Sequence, residues 1–130
     1  MKNNITKLFI VSGLSNIVAV LILSRFFTNE TIPKYDAVVM SNFGLLMIIV
    51  WGFAYISVAK NYKSVKWLVA VFAIEKSIYG IVWIKWQLEN EVSVIFDEDI
   101  MAGIFYSIYG LNDLFFFGFF TYVFIKLIKN

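Results

Sequence analysis

Glu75, Lys76 and Asp113 stand inside long apolar runs, well separated from the other charges of the chain. A charge at the centre of a bilayer costs about 2.5–3.5 kcal/mol on insertion scales, so such groups turn inward, pair with one another, or do work. Tyr79 follows Glu75 by four positions and Lys76 by three, within reach of their side of a helix. Tyr109 precedes Asp113 by four positions. Asn112 adjoins Asp113 but points about 100° away around a helix, and Asn16 adds an amide from the first apolar run. These residue types could bind a small ligand through hydrogen bonds or pass a proton. A carboxyl would titrate as the ligand or proton arrives, and Lys76 would balance the charge.

Other chemistries find no residues. The chain has no cysteine and no histidine, which removes disulfides, thiolate nucleophiles, the commonest metal ligand and the usual neutral-pH acid–base group. No phosphate loop, nucleophile triad or metal-ligand spacing occurs, so no cofactor or metal is expected and a catalytic role is disfavoured. The acidic stretch of Glu89, Glu91, Asp97, Glu98 and Asp99 lacks calcium-loop spacing and reads as a solvated surface. A net charge of +2 with dispersed lysines gives no reason to expect nucleic acid.

The elements that carry these groups follow from hydropathy. Of 130 residues, 61% are hydrophobic, against about 45–50% in soluble domains. Four apolar runs, about residues 7–27, 37–59, 65–86 and 100–128, approach or exceed the ~20 residues needed to cross a bilayer. They lack the alternation of barrel strands. The prediction is an all-α, four-helix transmembrane bundle, one integral membrane domain over residues 1–130. The first run is too long for a signal-peptide core and reads as an uncleaved span. Pro33 falls in the first connection, and the polar turn at residues 60–66 predicts that spans two and three are antiparallel neighbours.

Lys2, Lys7, Lys60, Lys63, Lys66, Lys126 and Lys129 fall on one side; only Arg25, Lys34 and Lys85 fall on the other. The positive-inside rule then puts both termini in the cytoplasm, for a multi-pass membrane protein. Trp67, Trp83 and Trp86 suit interfacial belts, while Arg25 and Lys85 can snorkel. Ser12, Ser15 and Ser24 are expected to bond their own helix carbonyls, and Asn42 to cap backbone. Gly13, Gly80, Gly103, Gly110 and Gly118 are expected to ease helix packing. The match of Ser77-Ile-Tyr-Gly80 with Ser107-Ile-Tyr-Gly110 reads as chance in a small apolar alphabet.

At a rise of about 1.5 Å per residue, Glu75 lies about 13 Å past Lys66, Asp113 is near the middle of the fourth run, and Asn16 reaches a similar level in the first. Three helices thus contribute polar groups to one mid-membrane layer.

Three segments also resemble a known family: Phe43-Gly-Leu-Leu-Met-Ile-Ile-Val-Trp-Gly-Phe-Ala-Tyr55, Phe72-Ala-Ile-Glu-Lys-Ser-Ile-Tyr79 with Trp83 and Trp86 behind it, and Ile108-Tyr-Gly-Leu-Asn-Asp-Leu114. With the length and span layout, they resemble the BphX-like family of small four-span bacterial membrane proteins, with DoxX-like proteins as second choice. The resemblance implies a bundle of this size but carries no activity over.

Two functional readings follow. In one, Glu75, Lys76, Asp113, Tyr79, Tyr109, Asn16 and Asn112 form a site for a small lipophilic ligand or a proton. Substituting Glu75→Gln or Asp113→Asn then leaves folding intact. In the other, the chain is a non-catalytic accessory or assembly subunit, its polar residues are interhelical glue, and its aromatics meet a homo-oligomeric or other membrane partner.

Overall fold

A computed structural model describes residues 2–130, with side chains from residue 4 onward. The side chain of Lys2, counted above with the cytoplasmic lysines, therefore lies outside the described residues. Among the described residues the secondary structure is helical throughout: α1 (Lys2–Leu23), α2 (Thr31–Tyr35), α3 (Asn42–Val58), α4 (Lys66–Glu89), α5 (Val92–Glu98) and α6 (Ile100–Lys129), with one 3-10 turn at Tyr62–Ser64.

Three helices are long and apolar enough to cross a membrane: α1 from Asn4, α4 and α6. The fourth, α3, has 17 residues and rises about 26 Å, at the lower limit of a spanning helix. It is shorter than its predicted run because Ser41 ends the preceding turn. The Ser41 hydroxyl accepts the Gly44 N–H at 3.0 Å, so the helix starts there rather than at residue 37.

Each long helix carries apolar residues all round, and part of that surface stays open. Val11, Leu14, Val18 and Ile22 form an exposed stripe on α1; Ile74, Ile78 and Ile81 form one on α4. In water such stripes would be costly, whereas hydrocarbon solvates them. The helices pack chiefly in two pairs, α1 with α3 and α4 with α6. The predicted close neighbours, spans two and three, do not form a tight backbone contact. They meet through rings instead, with Tyr55 edge-on to Phe72 at 4.9 Å and Trp51 edge-on to Phe72 at 6.1 Å.

The small residues divide by position. Gly13 and Gly52 let α1 and α3 touch backbone to backbone: a Cβ on either would meet the other's carbonyl. On the second pair, Gly80 receives Leu114 of α6, while Gly110 receives the Trp83 ring of α4. The Ser-Ile-Tyr-Gly match thus falls on two reciprocal contacts of one helix pair. Gly103 accommodates Phe96 of α5, but Gly118 has open space around it and serves no contact.

Two apolar clusters fill the space between the helices. One contains Phe9, Tyr55, Phe72, Phe116 and Phe120 toward the termini; the other contains Val20, Leu45, Trp86, Phe105 and Tyr106 toward the opposite end. Trp83 and Trp86 belong to this interior rather than to an interfacial belt. Trp86 is 6% exposed and stacks on Tyr106 at 4.4 Å, and the Trp83 indole donates to the Tyr106 carbonyl at 2.7 Å. The pull is hydrogen bonding: each buried indole N–H needs an acceptor and reaches a backbone carbonyl, Trp86 using that of Tyr35. Trp67 stays largely exposed, as expected of a belt residue.

The end opposite the termini is closed by short elements. After Leu23 the chain turns through Arg25, Phe26 and Phe27, all left-handed at φ 50°, 56° and 69°. Non-glycine residues reach this region at a cost of about 1–2 kcal/mol each. Local bonds offset it. The Ser24 hydroxyl accepts the Phe27 N–H at 3.0 Å instead of donating to its own helix, and Asn29 donates to the Leu23 carbonyl at 3.1 Å. Pro33 lies in the first turn of α2, where a missing N–H costs nothing.

Asp99 ties this end together. It caps α6 by accepting the Ala102 N–H at 2.9 Å, and it binds Arg25 at 2.7 Å and Asn29 at 2.8 Å. Arg25 is therefore paired rather than snorkelling. Burial opposes ionisation of Asp99, but the Ala102 N–H, Arg25 and Asn29 outweigh it and hold the carboxyl below the usual aspartate range. Hydrogen bonds from Lys34 and Tyr35 likewise hold Glu98 below the ordinary glutamate value. A carboxyl depressed in the fold stabilises it above the unfolded pKa and loses that contribution as pH falls through the folded value. The loop closure is therefore expected to be intact at neutral pH and to loosen below about pH 4. Amide exchange of Thr31–Tyr35, corrected for intrinsic rate, checks this; equal protection at pH 3 and pH 7 would contradict it.

Candidate functional site

The polar layer sits between the two apolar clusters, at matching levels of the long helices. On α4 the residues Val69, Phe72 and Ala73 belong to one cluster and Trp86 to the other, with Glu75 and Lys76 between them. On α6 Asp113 lies between Tyr109 and Phe116, and on α1 Asn16 lies between Phe9 and Val20. The structure thus brings the three predicted contributors together.

Lys76 is the hub. It is 0% exposed, and its Nζ donates to Asp113 Oδ1 at 2.8 Å and to Asn16 Oδ1 at 3.1 Å. The ammonium also lies 5.1 Å from the centre of the Tyr55 ring, a cation–π contact strengthened by burial. Asn16 uses its amide nitrogen as well, donating to the Ile48 carbonyl of α3 at 3.0 Å. One charged hydrogen-bond network therefore joins α1, α3, α4 and α6.

Glu75 is held differently. The Tyr55 hydroxyl donates to its Oε1. Tyr55 is the functional neighbour that sequence reading passed over. Its signal was a phenol in the middle of an apolar span, where a hydroxyl needs a partner. Among the described residues, the side-chain ion pair in this layer is Lys76–Asp113. With both acids ionised, the group formed by Glu75, Lys76 and Asp113 carries one negative charge in excess.

A cavity of about 450 Å³ lies against this layer. Its polar lining comes from Ser15, Asn16, Glu75, Tyr79, Tyr109, Asn112 and Asp113, and the rest is apolar. Six of the seven predicted site residues therefore line one space, while Lys76 stands behind it. The Tyr109 residue is 8% exposed, and its hydroxyl has no hydrogen-bond partner among the described residues. Such a group costs about 1–3 kcal/mol relative to a paired one.

The cavity opens sideways. Ile108, Leu111 and Phe115 of α6 both line it and stand on the outer surface, Phe115 at 62% exposure. They face Ser15 and Ala19 of α1 across a seam where the helices pack less closely than within either pair. The mouth is thus apolar and lies at the level of the spanning segments.

Elsewhere the serines bond within their own helix and the Asn42 amide reaches the turn after α1. Ser12 and Ser15 donate to the Phe9 and Ser12 carbonyls at 2.7 and 2.9 Å, and the Asn42 amide reaches the Phe27 carbonyl at 3.5 Å. No cluster of carboxylates able to hold a metal ion occurs among the described residues.

Comparison with known protein families, curated proteins and solved structures yields no match. None of them supports a BphX-like or DoxX-like family, and no activity is carried over.

Proposed function

We propose that this chain is a multi-pass protein of a bacterial inner membrane, four-spanning with both termini cytoplasmic, that binds a small lipophilic ligand in its mid-membrane cavity. The carrying observation is the cavity itself. It combines apolar walls, a sideways apolar mouth and a buried Tyr109 hydroxyl without a partner. Pockets that hold small molecules have this composition, with a few polar groups set in an apolar lining. A ligand dissolved in the bilayer would enter between α1 and α6 without crossing water.

The orientation rests on charge. Lys7, Lys60, Lys63, Lys66, Lys126 and Lys129 gather toward the end that carries the termini, against Arg25, Lys34 and Lys85 toward the other. The span of α3 rests on its apolar composition, its length of 17 residues and its seat against α1.

In this reading the cluster has two parts. Lys76, Asp113 and Asn16 satisfy one another and hold the helices, which is the glue role. Glu75, Tyr79, Tyr109 and Asn112 meet the ligand.

The test fills the space. Ala19 lines the cavity beside its mouth, so Ala19→Phe should occupy it without touching the polar layer. Native mass spectrometry of protein released from nanodiscs should detect a small molecule retained by wild type and lost from A19F. Identical retention by both, or none by either after incubation with membrane extract, would contradict ligand binding.

A further inference from the structure

We propose that the ligand is a lipophilic organic cation bearing N–H groups, an amphiphilic ammonium whose charge Glu75 neutralises. The inference rests on the cavity reading above and adds the chemical class of its occupant. Three observations carry it. The first is the charge count with both acids ionised: Lys76 is consumed by Asp113 and Asn16, so the carboxylate of Glu75 has no cation in hydrogen-bond contact within the layer. A second cation would balance the site, and in low dielectric such a balance weighs more than it does in water.

The second observation is the kind of polar surface that is left. Asn16 spends both ends of its amide, on Lys76 and on Ile48. What the lining still offers is the carboxylate of Glu75, the hydroxyls of Tyr79 and Tyr109, that of Tyr109 without a partner, and the Asn112 amide. Each carries an oxygen that accepts a hydrogen bond, the phenols through their lone pairs, and among these the carboxylate alone can carry a charge. An ammonium supplies donors, and a donor–carboxylate bond of this kind is charge-assisted.

The third observation is the aromatic lining. Phe105, Tyr109 and Tyr79 line the same space, and Phe105 stacks on Tyr109 at 5.2 Å. Ring faces attract a cation while solvating its hydrocarbon part. The groups that share this space or layer with Glu75 come from every long helix: Asn16 of α1, Tyr55 of α3, Lys76 and Tyr79 of α4, Tyr109 and Asp113 of α6. Lys76 is the one cation among them, and it is engaged.

The experiment titrates dodecylamine, dodecanol and dodecyltrimethylammonium into protein held in phosphatidylcholine nanodiscs, with empty nanodiscs as the partition control. Calorimetry reads saturable binding above partition. Dodecylamine should bind best. Glu75→Gln keeps an acceptor for the Tyr55 hydroxyl and removes only the charge. It should weaken dodecylamine about tenfold or more, the loss of one charged hydrogen bond, and weaken dodecanol, which brings no charge, by distinctly less. Tyr109→Phe should weaken dodecylamine with the site charge unchanged, and dodecyltrimethylammonium, which has no N–H, should bind more weakly than the amine. Equal binding of amine and alcohol, both lost in A19F, would overturn the cation while leaving the cavity reading in place. Unchanged amine affinity in both E75Q and Y109F would overturn it as well. Absence of saturable binding for all three probes, or binding insensitive to A19F, would take the cavity reading down too.

Discussion

Asp113→Asn is expected to destabilise the folded chain by about 3–5 kcal/mol, the usual result of stripping one partner from a buried ion pair. Lys76 is fully buried, and its strongest contact is the 2.8 Å bond to Asp113. An asparagine still offers an oxygen but no charge, which leaves the ammonium without its bonded carboxylate, held by Asn16 and the Tyr55 ring, while Glu75 remains engaged by the Tyr55 hydroxyl. The expectation drawn from sequence, that Asp113→Asn spares folding, therefore holds poorly against the geometry; the same expectation for Glu75→Gln is kept, because Glu75 has a neutral partner. Thermal unfolding followed by circular dichroism in one detergent compares D113N, E75Q and the double substitution Lys76→Met with Asp113→Leu. The double variant removes both charges at once. It should recover most of the lost stability, since well-packed apolar replacements of buried pairs are often neutral or stabilising. A D113N protein that melts with wild type, or a double variant worse than D113N, would refute the assignment of Asp113 as the holder of Lys76.

The second large effect belongs to one added methyl group. Gly13→Ala places a Cβ against the carbonyl of Gly52 and the side chain of Ile56. A flexible side chain could move aside, but a helix carbonyl cannot without parting α1 from α3. Overpacking of this kind costs about 1–3 kcal/mol, and in lipid no hydrophobic effect pulls the helices back together. Gly118→Ala is the matched control. It has open space on α6, and alanine favours helix over glycine by about 1 kcal/mol. The two identical chemical changes should thus move the melting temperature in opposite directions. Equal shifts would show that the α1–α3 crossing is looser than Gly13 and Gly52 imply.

Both effects bear on function through one seam. The α1–α3 and α4–α6 pairs are each locked by small residues. Between the pairs, Asn16 and Lys76 reach across through the polar network. Loosening Gly13 would shift Asn16 and Ala19, so it should disturb the cavity as well as the melting point.

The membrane character and the depth of the polar layer were legible in the amino-acid sequence. Hydropathy and the cost of a charge in hydrocarbon act along the chain, so counting residues was enough to put Asn16, Glu75, Lys76 and Asp113 at one level. Helix ends were less legible where side chains rather than hydropathy decide them, as at Ser41, or where the chain turns left-handed through Arg25–Phe27. Which acid pairs with Lys76, that Tyr55 serves Glu75, that Trp83 and Trp86 turn inward and that Gly118 does not pack were decided by tertiary structure. Each depends on how a helix is rotated about its own axis. In water an amphipathic pattern would reveal that rotation. Helices that are apolar on every side carry no such mark, and only the packing of their neighbours chooses which face looks in.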